Sequence, residues 1–524
     1  MAELSFADIW EQIADAFPDA MAQIHGDRRQ TWAEFDRRAD GIAQALLDAG
    51  LKRQDKVAQY LYNCPEYLES LFGAVKVSGV PVNTNYRYTD DELVYLWDNS
   101  DAVAVVFHGV FVETIERVRS RVPGVNLWLW VDDGTGPCPD WARPYEEAAN
   151  SATGRVGAER GPDDLYMLYT GGTTGMPKGV MWRQGDLIDT YARNMDPNAT
   201  WKMPAAAGGV CLPACPLMHG TGAFTSFILL NSGGCIVTLT KRNFDVVELL
   251  DTIEREKVNV MAIVGDAFAK PMLRELDANP GRWNISSLLA VISSGVMWSH
   301  ETKQGLLKHH GGMMLSDAFS SSEALGMGSS TSSGDNASET AKFTLGPNTR
   351  VITEDGRDVV PGSGEQGMVA VKGLVPVGYY KDPEKSAKTF RVIDGDRYSI
   401  PGDYAMVEAD GSLKILGRGS VCINTGGEKV FPEEVEEVIK RHESVLDAAV
   451  VGVPDEKWGE AITAIVQPKP GAEVADEELI KHVKANLAAY KAPKHVIVVD
   501  SIGRSPAGKV DYPGLKEKAI AAVG

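Results

Sequence analysis

From residue 31 onward the hydrophobic pattern alternates between a helical and a strand-like period, and this alternation limits the fold more than anything else in the chain. "TWAEFDRRADGIAQALLDAG" (31–50) carries apolar residues at helical spacing and ends on Gly50, a good helix C-terminus. "DKVAQYLYN" then predicts a strand, "PEYLESLFGAVKVSG" a helix closed by glycine, "VPVNTN" a short strand, "DELVYLWDNSD" a helix and "AVAVVF" a buried strand. The pattern returns as a helix over 246–256, a strand over 258–264, a helix over 268–278 and a strand over 288–293. Strands that alternate with helices in this way form parallel sheets in α/β layers.

Near residue 343 the text changes to short strands and glycine turns, which predicts a small β-rich subdomain. "GDYAMVEADGSLKILGRG" (402–419) reads as two strands joined by an Asp410–Gly411 turn, a strong hairpin signal. Beyond it a compact α+β unit is expected. "PEEVEEVIKRH" is a helix opened by Pro432, "DAAVVGVP" and "AITAIVQP" are strands, "DEELIKHVKANLA" is a helix and "HVIVVDSI" is a strand. "RSPAGKVDY" is read as an exposed loop, and "GMGSSTSSGDNAS" (326–338) as a mobile surface loop. The expected fold is therefore α/β: a large N-terminal domain (1–417) of layered α/β subdomains with a small β-rich subdomain, a hinge (418–421), and a small mobile α+β C-terminal domain (422–524).

Composition excludes several functions. The 524 residues hold 52 Lys+Arg against 72 Asp+Glu, a formal charge of −20. Such a chain repels double-stranded nucleic acid and anionic membrane surfaces, because no Lys/Arg run forms a basic patch. Small phosphate ligands stay possible, since a site can be locally positive. Six scattered cysteines lack zinc spacing and read as idle or buried thiols in a reducing cytosol. "MAELSFADIW" is no signal peptide, and no run of about 18 apolar residues would span a membrane. The expected location is the cytoplasm, with the oligomeric state open between monomer and homodimer.

"YTGGTTGMPKG" (169–179) holds four glycines, three threonines and one lysine. Glycines let backbone N–H groups turn inward, threonine hydroxyls add donors, and a lysine adds positive charge, all of which suit an anion. The spacing is not that of the usual nucleotide loop, because Met176 and Pro177 precede Lys178 and Gly179 stands where a metal-binding hydroxyl belongs. The stretch is expected to be a flexible clamp, or else a generic Gly/Thr loop.

That string closely resembles the signature loop of the adenylate-forming superfamily: acyl- and aryl-CoA synthetases, firefly-type luciferases and peptide-synthetase adenylation domains. The resemblance continues in order along nearly the whole chain, through "DAFSSSEALG" (317–326), "GDYAMVEADGSLKILGR" (402–418), "GGEKVFPEEVE" (426–436) and "RSPAGKVD" (504–511). It implies a two-step reaction, in which a carboxylic acid attacks the α-phosphate of ATP to give an acyl-adenylate and pyrophosphate, and a thiol then displaces AMP.

By resemblance, Thr170, Gly171, Gly172, Thr173, Thr174, Gly175 and Lys178 hold the departing phosphates. Asp403 accepts the ribose hydroxyls, with Arg418 and Ile415 beside it. Phe319 stacks on adenine, flanked by Asp317, Ala318 and Ser320 and walled by Gly295, Val296 and Met297. Glu323 and Thr170 hold Mg²⁺, with Ser322 as a neighbouring hydroxyl. Lys509 neutralises the charge that grows between the carboxylate and the α-phosphate, an effect worth about 10²–10³ in rate at comparable sites. His219 gates an acyl pocket lined by Gly220, Phe224, Val264, Gly265, Asp266 and Gly295, and is alternatively a structural histidine. Gly426, Gly427 and Lys429 are expected at coenzyme A.

Departures from the family's pattern bear on the substrate and the hinge. Phe319 stands where Tyr is usual, and Gly295-Val296-Met297 replaces the usual Gly-Ala-Pro wall. Gly265 in "VGDAF" widens the pocket, while Asp266 either faces a polar substrate group or caps the following helix. At the hinge Gly419, Ser420 and Val421 replace the usual charged residues, with Gly419 expected to supply backbone freedom. This hinge resembles that of ligases for bulky alicyclic or steroid-side-chain acids. The expected activity is ATP-dependent ligation of coenzyme A to an apolar acid, either medium- to long-chain or bulky alicyclic. The alternatives are an adenylating enzyme that loads a separate carrier protein, a variant strong in one half-reaction, and a nucleotide-binding relative without turnover.

Overall fold

The computed structural model describes residues 3–172, 175–193, 199–296, 298–334, 336–425, 428–455, 458–505 and 508–523. Helices and strands alternate through the first part of the chain, as the two hydrophobic periods predict. The helix Trp32–Asp48 starts at Thr31, whose side chain accepts from the Glu34 N–H while the Glu34 carboxylate accepts from the Thr31 N–H. It ends just before Gly50, which takes φ of 85° where a side chain would strain. The helices Pro65–Lys76 and Asp90–Asn99 and the strands Lys56–Tyr60, Val80–Asn83 and Ala102–His108 fall where the sequence placed them.

Among the described residues the strands form three sheets. In the largest, four parallel strands run side by side: Val210–Pro213, Val260–Ile263, Ala290–Ser293 and Met314–Ser321. Their registers pair Pro213 with Ala262, Ile263 with Ser293, and Ser293 with Asp317. The C-terminal ends of these strands therefore share one edge, which is where open α/β sheets bind ligands. A second sheet brings Leu165–Gly172 between Val80–Asn83 and Gly175–Arg183. Helices cover both sheets and enclose a core that includes Trp10, Trp32, Phe35, Phe72 and Phe227, each fully buried. Each such ring contributes roughly 1.5–3 kcal/mol from leaving water.

The hairpin Asp403–Val407 and Leu413–Arg418 turns at Asp410–Gly411, with Gly411 at φ 81°, as "ADGS" predicts. The third sheet is C-terminal and contains Ile423–Thr425, Glu428–Val430, Val445–Asp455, Gly459–Pro468 and His495–Val498. The helices Pro432–Lys440 and Asp476–Asn486 pack on one core there. A last helix, Tyr512–Val523, was not anticipated, and it covers the other face of that sheet through Leu515 and Ala519.

Two expected loops are strands. Residues 326–332 of the Gly/Ser-rich stretch belong to the strand Ala324–Ser332, antiparallel to Met314–Ser321, with Phe319 opposite Gly328. Small residues suit a strand whose neighbours supply the packing, and Gly328 leaves room for the Phe343 side chain 3.2 Å from where a Cβ would stand. Likewise the anion-loop candidate is mostly the antiparallel pair Leu165–Gly172 and Gly175–Arg183, with Thr170 opposite Lys178. It is a laddered hairpin rather than a flexible clamp, and Thr173 and Thr174 lie outside the described residues. Among the described residues no helix is long and apolar enough to cross a membrane. All six cysteines are free thiols.

Candidate active site

The shared strand edge carries the first group of candidate residues. Asp317 is buried midway along its strand, where the parallel pairing with Ser293 ends, and burial pushes its carboxyl up to about 7. Lys303, buried on the helix His300–His309, opposes that rise with its ammonium 3.8 Å from Asp317 Oδ2. Ala318 and Phe319 continue the strand, and the Phe319 ring lies 5.6 Å from Phe343. The Ser320 hydroxyl oxygen accepts from the Gly326 N–H at 3.1 Å, tightening the turn that carries Ser322 and Glu323. The Ser322 carbonyl accepts from the Trp182 indole N–H at 2.9 Å. Glu323 Oε1 accepts from the Tyr379 hydroxyl at 2.9 Å, and its carbonyl accepts from Ser399 Oγ at 2.7 Å. Tyr379 had no sequence signature as a partner of Glu323.

From the other side comes the hairpin 403–418. Asp403 and Arg418 pair across it, with Nε 3.3 Å from Oδ1. Asp403 Oδ2 is buried and accepts no hydrogen bond among the described residues. Burial raises the Asp403 pKa first of all, Glu323 raises it further, and Arg418 acts against both. A buried acceptor without a donor is costly, so this carboxylate fits a ligand that brings hydroxyls. Ile415 is buried beneath it in the β core.

Lys509 enters from the C-terminal sheet. Arg504 forms an ion pair with Asp447 and donates from Nη1 to the Gly508 carbonyl at 3.1 Å, which fixes the loop just before Lys509. Ser505 Oγ accepts from the Lys509 N–H at 3.1 Å. A Cβ at Gly508 would stand 3.1 Å from Val296 Cγ2 and 3.5 Å from Val264 Cγ1, so Gly508 lies directly on the wall of the other domain. The Lys509 side chain keeps solvent access, as the lining of an open cleft does, while protein surrounds its ammonium. That burial lowers its pKa, Arg418 lowers it further, and Glu323 offsets them. Among the described residues Lys509 has no ion-pair partner.

His219 precedes the helix Gly220–Leu230, and burial together with the Lys509 charge brings its pKa down to about 3. It is therefore a neutral imidazole at ordinary pH, facing a cation. Phe224 is buried against Tyr166, Tyr191 and Phe227. Gly265 has φ 52° and ψ −147°, a region that side chains avoid, and its N–H donates to Ser293 Oγ at 2.9 Å. Gly295 has φ 92°, and Val264 lies 3.8 Å from where its Cβ would be.

Some expectations change. Asp266 does not cap its own helix, because Gly265 is the N-cap and no side chain closes that end. Its Oδ1 accepts instead from the N–H (3.2 Å) and hydroxyl (3.0 Å) of Ser299, at the start of the next helix, and Lys270 lies 3.1 Å from Oδ2. Lys178 is paired with Asp382, and its ammonium lies 5.9 Å from the Tyr379 ring centre. Gly419 does not have positive φ. A Cβ there would stand 2.7 Å from Tyr404 Cε2, so close approach explains this glycine. The unusual backbone belongs to Gly417, at φ 138°, against which the Glu433 carboxyl packs. Met297, Gly426 and Gly427 lie outside the described residues, as do the side chains of Ser420 and Lys429. Gly171, Gly172 and Gly175 sit in the hairpin strands.

Mg²⁺ keeps most of its waters and takes one or two carboxylates beside substrate phosphates. Glu323, oriented by Tyr379 and close to Lys509 and Asp403, fits that requirement. Among the described residues there is no cluster of three or more His, Cys, Asp or Glu side chains that would bind a metal by itself.

Residues 10–380 match the family model for AMP-binding enzyme, and residues 434–509 match that for the AMP-binding enzyme C-terminal domain. A medium/long-chain-fatty-acid–CoA/3-oxocholest-4-en-26-oate–CoA ligase of Mycobacterium marinum is 40% identical, over 99% of this chain and 97% of its own length. A 3-oxocholest-4-en-26-oate–CoA ligase of Rhodococcus rhodochrous is also 40% identical, over 98% of this chain and 96% of its own. The crystal structure of ATP-bound MatB from Rhodopseudomonas palustris superposes with a TM-score of 0.82 at 26% identity, covering 99% of this chain and all of that one. Both family models fit in their proper order and the relatives align from end to end: the chain belongs to the AMP-binding enzymes of the adenylate-forming superfamily.

Proposed function

We propose that this enzyme, an AMP-forming acid–thiol ligase, joins coenzyme A to a medium- or long-chain fatty acid or to a steroid side-chain acid. The observation that carries the reading is the convergence of Lys509, from the C-terminal domain, with Glu323, Arg418 and His219 in one cleft. A carboxylate oxygen forms a bond to the α-phosphorus of ATP as the bond to the bridging oxygen breaks, and pyrophosphate takes that electron pair. Lys509 places a cation where charge accumulates on the equatorial oxygens, and stabilisation of this kind depends on the charge being in position beforehand. Asp403 receives the ribose hydroxyls through its orphaned Oδ2, and Phe319 lies along the adenine. Glu323 and Thr170 would hold Mg²⁺, which would supply positive charge to offset that of the phosphates. The hairpin of Thr170–Gly172 and Gly175–Lys178 cradles the phosphates that leave.

In the second step a thiolate bonds to the acyl carbon, the bond from that carbon to the anhydride oxygen breaks, and AMP leaves with that oxygen and the electron pair. We place the hinge for this step at 418–421, with Gly419 and Ser420, and the coenzyme at Gly426, Gly427 and Lys429. Release of Gly508 from Val264 and Val296 would withdraw Lys509 and open the acyl carbon to the thiol.

The substrate class rests on the names of the relatives and on the pocket wall. Gly295 presents no side chain beside Val264, and only the Val264 side chain comes within 4 Å of where its Cβ would be, which leaves room for bulk. His219, being neutral, can border an apolar chain without bringing in charge. We assign the enzyme to the cytoplasm. The test is a panel running from acetate through dodecanoate and benzoate to 3-oxocholest-4-en-26-oate, with ATP, Mg²⁺ and coenzyme A, scored by AMP and by thioester mass. Dodecanoate and the steroid acid should give thioester. AMP without thioester would point to a carrier-protein acceptor, and no AMP from any acid would overturn the reading.

A further inference from the structure

The strand Val80–Asn83 runs beside Leu165–Gly172, and its last side chain, Asn83, is buried. Asn83 Nδ2 donates to the Tyr169 carbonyl and to the Met218 carbonyl, each at 2.8 Å. Its Oδ1 accepts from the Tyr169 N–H at 2.6 Å. Both donors of the amide are used, and its oxygen is engaged as well. Tyr169 immediately precedes Thr170 of the phosphate hairpin, and Met218 immediately precedes His219 of the acyl gate.

These two segments belong to different sheets. Leu165–Gly172 lies in the sheet of Val80–Asn83, while the segment ending at His219 leaves the larger sheet at Pro213. Among the described residues no ladder joins them, and the Asn83 amide bridges the gap. Asn63, beyond the neighbouring strand Lys56–Tyr60, grips the gate segment alone. Its Nδ2 donates to the carbonyls of Cys215 (3.1 Å) and Pro213 (3.3 Å), and its Oδ1 accepts from the Leu217 N–H at 2.7 Å.

We propose that Asn83 is a positioning residue that sets the register of the ATP-phosphate hairpin against the acyl gate, so that one side chain aligns the acid with the triphosphate. This rests on the adenylation reading above. In-line attack needs reacting atoms held near 3–3.5 Å, and a misplacement of about 1 Å can cost about 100-fold. The triphosphate has gone once the adenylate exists, so the second step does not need this register.

The test uses the full chain with dodecanoate, in wild type, Asn83→Asp, Asn83→Ala and Asn63→Ala. Pyrophosphate release reports the first step, and premade dodecanoyl-adenylate with coenzyme A reports the second. Asn83→Asp keeps the side-chain shape and the acceptor for Tyr169 but loses both donors, and it carries the comparison if Asn83→Ala does not fold. It should lower kcat/KM for pyrophosphate release about 30- to 100-fold while thioester formation stays within about threefold of wild type. Asn63→Ala should raise the KM for the acid several-fold with the KM for ATP within about twofold. Pyrophosphate release by Asn83→Asp within about twofold of wild type, or equal losses in both steps, overturns the proposal. Wild type that releases no pyrophosphate with dodecanoate or any panel acid overturns the adenylation reading and this inference with it.

Discussion

Arg418 reaches across the antiparallel hairpin to Asp403, Nε to Oδ1 at 3.3 Å, and leaves Asp403 Oδ2 buried without a donor among the described residues. A buried acceptor left unpaired costs about 1–3 kcal/mol, a cost that ribose hydroxyls would remove. Asp403→Ala also strips Arg418 of its partner, so the variant should melt below the wild type without nucleotide and gain little on adding ATP, its affinity for ATP falling about 10²-fold. Calorimetric melting and ATP titration check both. ATP affinity within about twofold of wild type would place the ribose elsewhere.

Gly508 has φ of 70°, and a Cβ there would press on Val296. A left-handed backbone costs a non-glycine residue about 1–2 kcal/mol, before any contact is counted. Gly508→Ala should thus lower the population with Lys509 seated about 5- to 30-fold and slow pyrophosphate release to match. Thioester formation from premade adenylate should change much less. Rapid-quench assays of the two steps distinguish the outcomes, and an unaltered first step would refute the seating argument.

Glu433 gives a pH dependence. Burial pushes its carboxyl up to about 8, with the Glu436 and Asp403 carboxylates adding to the rise. The Arg418 N–H, 3.4 Å from Oε1, acts in the other direction, and the Arg418 guanidinium also faces this group. Among the described residues Glu433 Oε2 has no hydrogen-bond donor. Because the folded value is raised, the docked arrangement favours the protonated form. Its advantage is full below the ordinary glutamate range and is lost as pH rises to about 8, beyond which it is flat. The ratio of first-step to second-step rates should therefore fall between pH 6 and pH 8. Glu433→Gln, which cannot ionise, should flatten that ratio. The same slope in the variant would assign it to another group.

The fold was legible where local periodicity and punctuation agree. Gly50 after a helix, Pro432 at a helix start, and Asp410–Gly411 are signals within a few residues, and each element stands where they put it. Ala324–Ser332 was not legible, because its Gly/Ser composition matches a loop and its strand character comes from pairing with Met314–Ser321 and Lys342–Leu345. The hairpin around Thr170 was misread for the same reason: glycine freedom is a local property, and a ladder is not.

The motif residues of the site could be named because the family's pattern marks them, but their partners could not. Asn83 meets Tyr169 and Met218 at separations of 86 and 135 residues, and Tyr379 meets Glu323 at 56. No local pattern encodes such contacts. Asp266 shows the opposite error, since a residue type that commonly caps helices is used here to hold Ser299.

Lys509 at the reacting phosphate is the placement on which the mechanism depends. The direct measurement is single-turnover pyrophosphate release by Lys509→Ala with saturating ATP, Mg²⁺ and dodecanoate, beside thioester formation from premade dodecanoyl-adenylate and coenzyme A. The first should fall about 10²-fold or more, with the second kept within a few-fold of wild type. Pyrophosphate release at the wild-type rate would contradict it.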